Sequence, residues 1–133
     1  MRLTVPSKGV AVDAAHSMKD KMTEYRGVDL ETGEVLFHRR LGNQTVNIGE
    51  FLAVVDAVKE LVKRKAFDGE VWTDSLTAVS WFRCRSASSV KRNLALQKAV
   101  IYLKFMGPTI RNIRIGHWNT RLWGEIPAAF GRK

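Results

Sequence analysis

Cysteine is almost missing from this chain. Cys84 stands alone, so no internal disulfide can form, and a thiolate zinc site has too few ligands. A single thiol agrees with a reducing compartment. Also missing is any apolar run of the roughly 18 residues that a membrane-crossing helix needs, and neither end is a basic amphipathic segment. The amino end, MRLTVPSKG, lacks the apolar centre of a signal peptide. The expectation is a cytosolic protein without a membrane partner. Acids are scarce relative to bases: 13 Asp and Glu against 22 Lys and Arg leave a net charge of +9, which favours a polyanionic partner. Repeats, low-complexity tracts and linkers are absent too. With 133 residues and 45% hydrophobic content, the chain is long enough for one real core, so residues 1–133 are expected to form a single, monomeric domain.

What is present is a succession of two periodicities. Residues 9–15 (GVAVDAA) read as a short strand, apolar enough to sit centrally in a sheet. Residues 23–30 (TEYRGVDL) and 35–40 (VLFHRR) read as two more strands, joined by the turn ETGE at 31–34. From Ile48 the period becomes helical, with Phe51, Leu52, Val54, Val55, Val58, Leu61 and Val62 recurring through Lys65. Asn47 is the expected N-cap and Glu50 completes a variant capping box in the helix's first turn. Residues 69–72 (GEVW) give a fourth strand, and TDS at 73–75 opens a helix running to about Phe82. A further helix is expected over 91–105, stopped by Gly107 and Pro108, and residues 110–115 (IRNIRI) make a fifth strand. Three strands, helix, strand, helices, strand predict an α/β fold: a five-stranded mixed sheet, part antiparallel meander and part parallel, with helices covering its faces.

The acids then fall into place. Asp13 is a lone carboxylate in an apolar strand, which must be solvated, paired or bound to a metal. Glu50 opens the long helix, and Asp74 ends the fourth strand. In an open α/β sheet, strand ends and helix starts border the ligand crevice. Carboxylates gathered there repel one another unless a cation lies between them, and hard oxygen donors favour Mg²⁺ or Mn²⁺. Taken singly, each has an ordinary reading: Glu50 as a helix-capping acid, Asp74 as an N-cap with Ser75, and Asp13 as an acid at an exposed rim. Taken together, they point to a metal.

VAVDAA in the first strand, TVNIGEFLAVVDAVKEL entering the long helix and WTDSLTAVSW after the fourth strand together resemble a type 1 ribonuclease H, from Gly9 to the end of the chain. The ending WGEIPAAFGRK resembles a short bacterial branch of that family. The resemblance implies a ribonuclease H-like sheet and an endonuclease that cuts the RNA strand of RNA–DNA hybrids with two Mg²⁺ or Mn²⁺ ions. It also implies that Asp13, Glu50 and Asp74 are catalytic metal ligands, that Asn47 contacts the minor groove of the hybrid and that Thr45 belongs to a phosphate pocket. Ser75, beside Asp74, joins the candidate substrate contacts.

The family's fourth acid is replaced. In one register it falls on Ala129, with the family's mobile histidine at Asn119. In the other, preferred because little chain follows Ala129, Asn119 in HWNT takes the acid's place with an amide oxygen. The alternative for Asn119 is an N-cap of a helix in TRLWGE. His117 has two readings, a product-release or proton-shuttling residue or a strand-end histidine touching solvent. The Ser-rich segment RCRSASSVKRN at 83–93 groups Arg83, Arg85, Lys91 and Arg92, where the family carries a basic substrate-binding protrusion; a solvated loop is the alternative. Trp81 reads as a sugar-stacking ring or as core, and Trp123 and Phe130 as packing the tail on the sheet. The missing acid leaves a second class of function open, a hybrid-binding module that has lost catalysis. A related nuclease acting on DNA is the third.

Overall fold

A computed structural model describes residues 4–88 and 90–130. Five strands, β1 (Val10–Ser17), β2 (Met22–Asp29), β3 (Val35–Gly42), β4 (Glu70–Thr73) and β5 (Arg114–His117), form one sheet in the order β3-β2-β1-β4-β5. β1, β2 and β3 pair antiparallel, whereas β4 runs parallel to β1 and β5 parallel to β4. This is the expected mixed sheet. Strand alternation splits its apolar residues between two cores. Val10, Val12 and Ala14 pack with α1 (Val46–Lys63), α2 (Leu76–Cys84) and α3 (Leu94–Phe105), while Ala11, Val28 and Trp72 meet Trp118, Ile126 and Ala128 on the other face. Burial on both faces explains why β1 is almost unbroken apolar sequence.

That second face is covered differently from expectation. No long helix lies on it among the described residues; a single turn, α5 (Thr120–Trp123), and the irregular tail to Phe130 do the covering. Trp72, Trp118 and Trp123 meet edge to face, with centroids 5.1 to 6.4 Å apart. Three large rings supply apolar cover on this face. Trp123 and Phe130 therefore pack the tail as expected, and residues 131–133 of the tail motif lie outside the described residues.

Local boundaries moved for identifiable reasons. α1 begins at Val46, because the amides of Ile48 and Gly49 both donate to the carbonyl of Thr45, which is the N-cap in extended conformation. Asn47 is thus inside the first turn rather than capping it, and Glu50 moves to the second turn, free of any capping box. The helix expected over 91–105 is interrupted: a 3₁₀ turn (Val90–Arg92) precedes Asn93, whose extended backbone and side chain, accepting from Leu96 N–H at 3.1 Å, start α3 afresh. Gly107 and Pro108 end α3 but open a one-turn helix, α4 (Gly107–Ile110), with proline where its missing N–H costs nothing. Ile110 is buried there, so β5 starts four residues later than its alternating pattern suggested.

Candidate active site

The crevice exists because β4 is short. Its register with β1 pairs Val10 with Val71 and Ala11 with Trp72. Carried two residues further, this register sets Asp13 beside Asp74 where the pairing stops, leaving β1 with an open edge. α1 closes on that edge through Gly49, where an added Cβ would come within 3.0 Å of both Ala14 Cβ and Thr23 Cγ2. The missing side chain lets the helix lie this close without displacing its neighbours, and the next residue, Glu50, is delivered to β1. Its carboxylate accepts the Ala14 amide, a donor that a longer β4 would have used.

Carboxylate oxygens of Asp13, Glu50 and Asp74 consequently lie within 4.8 Å of one another. Asp13 and Glu50 are buried; Asp74 is exposed at the mouth. None is the ordinary alternative considered from sequence. Asp13 is not at an exposed rim, Glu50 caps nothing, and Ser75 rather than Asp74 caps α2, its hydroxyl accepting from Ala78 N–H at 3.0 Å. Burial foremost, then the charges of Asp13 and Asp74, push the Glu50 carboxyl up to about 9. The Ala14 amide opposes that rise, and a shared hydrogen bond with Asp74 adds to it. Without a cation, then, Glu50 holds a proton at neutral pH.

The donor set fits a hard divalent cation. All three ligands offer oxygen, and Glu50 Oε1 is buried with no hydrogen-bond partner among the described residues, an acceptor that burial penalises unless something positive meets it.

The remaining candidates divide by place. The amide of Trp118 donates to Thr73 carbonyl at 2.7 Å, prolonging the β4–β5 pairing and bringing the HWNT segment alongside Asp74. His117, exposed at the end of β5, sets its ring Nε2 3.2 Å from the Asp74 carbonyl oxygen and so braces that turn. Asn119 is the N-cap of α5, with Oδ1 accepting Leu122 N–H at 3.1 Å. Thr45 and Asn47 are exposed at the start of α1. Lys91 and Arg92 are exposed on the 3₁₀ turn, whereas Arg83 and Arg85 line a different cleft with Arg111 and Arg114; Ser89 between the two pairs lies outside the described residues. Trp81 is half-buried and edge-on to Phe51, as a core ring.

Sequence reasoning missed Arg26. It is the cross-strand neighbour of Asp13 on β2, and its guanidinium donates to the carbonyls of Ala128, at 2.7 Å, and Ala129 while lying over the Phe130 ring. Ala129, one of the two positions considered for the fourth acid, is held there by its backbone. An arginine in the middle of a strand that pairs with β1 was the available signal; its partner lies 102 residues away and has no local trace.

No family model matches the sequence. Among solved structures, the chain is similar to the N-terminal ribonuclease H domain of rv2228c from Mycobacterium tuberculosis, determined as a fusion with maltose-binding protein. That match has a TM-score of 0.54 and 18% identity, and covers 80% of this chain and 84% of that one. The LC11 ribonuclease H1 from compost is similar at a TM-score of 0.56 with 20% identity, covering 84% of each chain. Ribonuclease H1 of the halophilic archaeon Halobacterium salinarum is similar at 0.52 with 14% identity, covering 81% and 82%. At such identities the likeness speaks for the fold, and the fold is that of a type 1 ribonuclease H.

Proposed function

We propose that this protein is a divalent-metal-dependent endonuclease that hydrolyses the RNA strand of RNA–DNA hybrids. The observation that carries the reading is the convergence of Asp13, Glu50 and Asp74 within 4.8 Å at the open end of β1, in this fold. These three would hold Mg²⁺ or Mn²⁺, with Asn119 as a neutral and therefore weaker fourth ligand. When bound, two such ions supply Lewis acidity to the scissile phosphate and lower the pKa of the attacking water.

The chain's own residues do the rest. Glu50 would give up its proton when positive charge enters the site and would be the acid closest to both metal and ribose. Hydrolysis joins the water oxygen to phosphorus and breaks the bond to the 3′ oxygen, leaving a 5′-phosphate and a 3′-hydroxyl. Asn47 and Thr45, exposed at the start of α1, offer small polar groups to the 2′-hydroxyl and a neighbouring phosphate, by which RNA is told from DNA. Lys91 and Arg92 add phosphate contacts that carry no sequence information, as suits an enzyme acting anywhere on a hybrid.

One observation favours a second reading, a hybrid-binding module with weakened catalysis. Neither fourth-acid position bears a charge, and the Asn119 oxygen already serves α5. The experiment is cleavage of an end-labelled hybrid in Mn²⁺ beside an Asp74→Asn control, with duplex DNA in parallel. Metal-dependent cutting of the hybrid alone, lost in the control, is expected. Binding without turnover selects the second reading, and cutting of duplex DNA a nuclease of another specificity.

A further inference from the structure

A second cleft, of about 540 Å³, opens along the outer edge of β5. It lies toward the amino ends of β4 and β5, whereas the carboxylates gather at the carboxyl end. Its rim carries Arg83, Arg85, Arg111 and Arg114, and its floor includes Phe82, Ile113 and Ile115. The one acid lining it, Glu70, is engaged by Arg114 at 2.8 Å. Arg85 is folded over the Phe82 ring, 4.7 Å from its centroid, and donates to the Phe82 carbonyl. Arg83 and Arg111 are exposed and make no ion pair among the described residues. Four cations line this cleft, and Arg83 and Arg111 among them have no acid partner among the described residues, which calls for an anion.

The backbone narrows the choice. β5 is the last strand of the sheet. The amides of Arg114 and Trp118 donate inward to the carbonyls of Gly69 and Thr73, so alternation turns the amides of Ile115 and His117 outward. An unpaired strand edge is a template for an extended chain, whose main chain supplies the hydrogen bonds and whose alternate side chains enter pockets. A nucleic-acid strand has no such row of N–H and C=O groups. It would look instead for an exposed aromatic face on which to stack a base, and here Phe82 and Trp72 are both buried. Arginine forks suit carboxylates and phosphates alike, so it is the strand edge that decides between them.

We propose that this cleft binds an extended acidic segment of a partner protein, which adds to the outer edge of β5 with carboxylates on Arg83 and Arg111. The inference does not rest on the nuclease reading.

The probe is a capped synthetic hexapeptide alternating glutamate and valine, titrated into the isotopically labelled full-length protein without metal. Saturable shifts in the amides of Ile115 and His117 are expected. Arg83→Glu combined with Arg111→Glu, both at exposed positions, weakens binding about tenfold or more. Two peptide versions, N-methylated on one or the other alternate set of amides, keep all charge; one set should abolish binding and the other leave it intact. Absence of shifts at the β5 edge, or indifference to both methylated versions, overturns edge addition. A short single-stranded DNA that binds these same amides more tightly and displaces the peptide overturns the choice of partner.

Discussion

The single most consequential residue is Glu50, because its environment makes it two different groups. In the metal-free protein its carboxyl is pushed from 4.5 to about 9. Between those values the native state holds a proton that the unfolded chain would release, so metal-free stability is fullest below the lower value and is lost as pH rises through the higher one. Glu50→Gln cannot titrate. In chelator it should melt later than wild type, by about 1–3 kcal/mol near neutrality, with the gap widening between about pH 5 and about pH 9 and the advantage disappearing when Mg²⁺ is added; thermal melts with and without the ion measure this. Asn119 offers a second, independent test. Aspartate is as good an N-cap as asparagine, so Asn119→Asp should keep α5 and add the missing charge. Activity titrated against Mg²⁺ should then rise at low concentrations, with melting temperature unchanged to within the equivalent of about 0.5 kcal/mol. An unmoved metal dependence would remove Asn119 from the ligand set.

Among elements, β5 serves both surfaces: it aligns His117 and Asn119 with Asp74 and also forms the outer edge of the arginine cleft. Its place beside β4 depends on Gly116, where an added Cβ would come within 2.4 Å of the Trp72 ring. That ring is fixed by Trp118 and Trp123, so it has little room to yield. Gly116→Ala is expected to cost about 1–3 kcal/mol, the range for overpacking a filled core. Denaturant unfolding reads the loss. The near-ultraviolet dichroism of the tryptophan cluster should change with it, which a simple backbone effect would not cause.

At the scale of the molecule, the two faces of the sheet are secured by different means. One is covered by three helices burying a broad apolar surface. The other depends on a tail with a single helical turn, pinned at its far end by Arg26. Charge-assisted hydrogen bonds are worth about 1.5–3 kcal/mol each, so Arg26→Ala should release the tail before it unfolds the sheet. Hydrogen exchange at the amides of residues 126–130 should accelerate by about tenfold or more, with α1 amides little affected. Uniform acceleration in both would show that the tail and the helical core unfold as one unit.

The sequence by itself determined the order and type of the elements and the identity of the three acids. Apolar periodicity reports which face of a segment is buried, and a carboxylate in an apolar strand or at a strand end is conspicuous at once. It was less exact at boundaries: Asn47 looked like the N-cap although Thr45 closes the helix, and the pattern of 110–115 looked like a strand although Ile110 belongs to α4. Short helices and caps are decided by single backbone angles, to which composition is nearly blind. Only the tertiary structure decided which groups meet. The register of β1 on β4, the close approach at Gly49, the clasp of Arg26 on a tail 102 residues away and the division of the arginines between two surfaces all depend on long-range packing, and contact between distant residues leaves no periodic trace in a single chain.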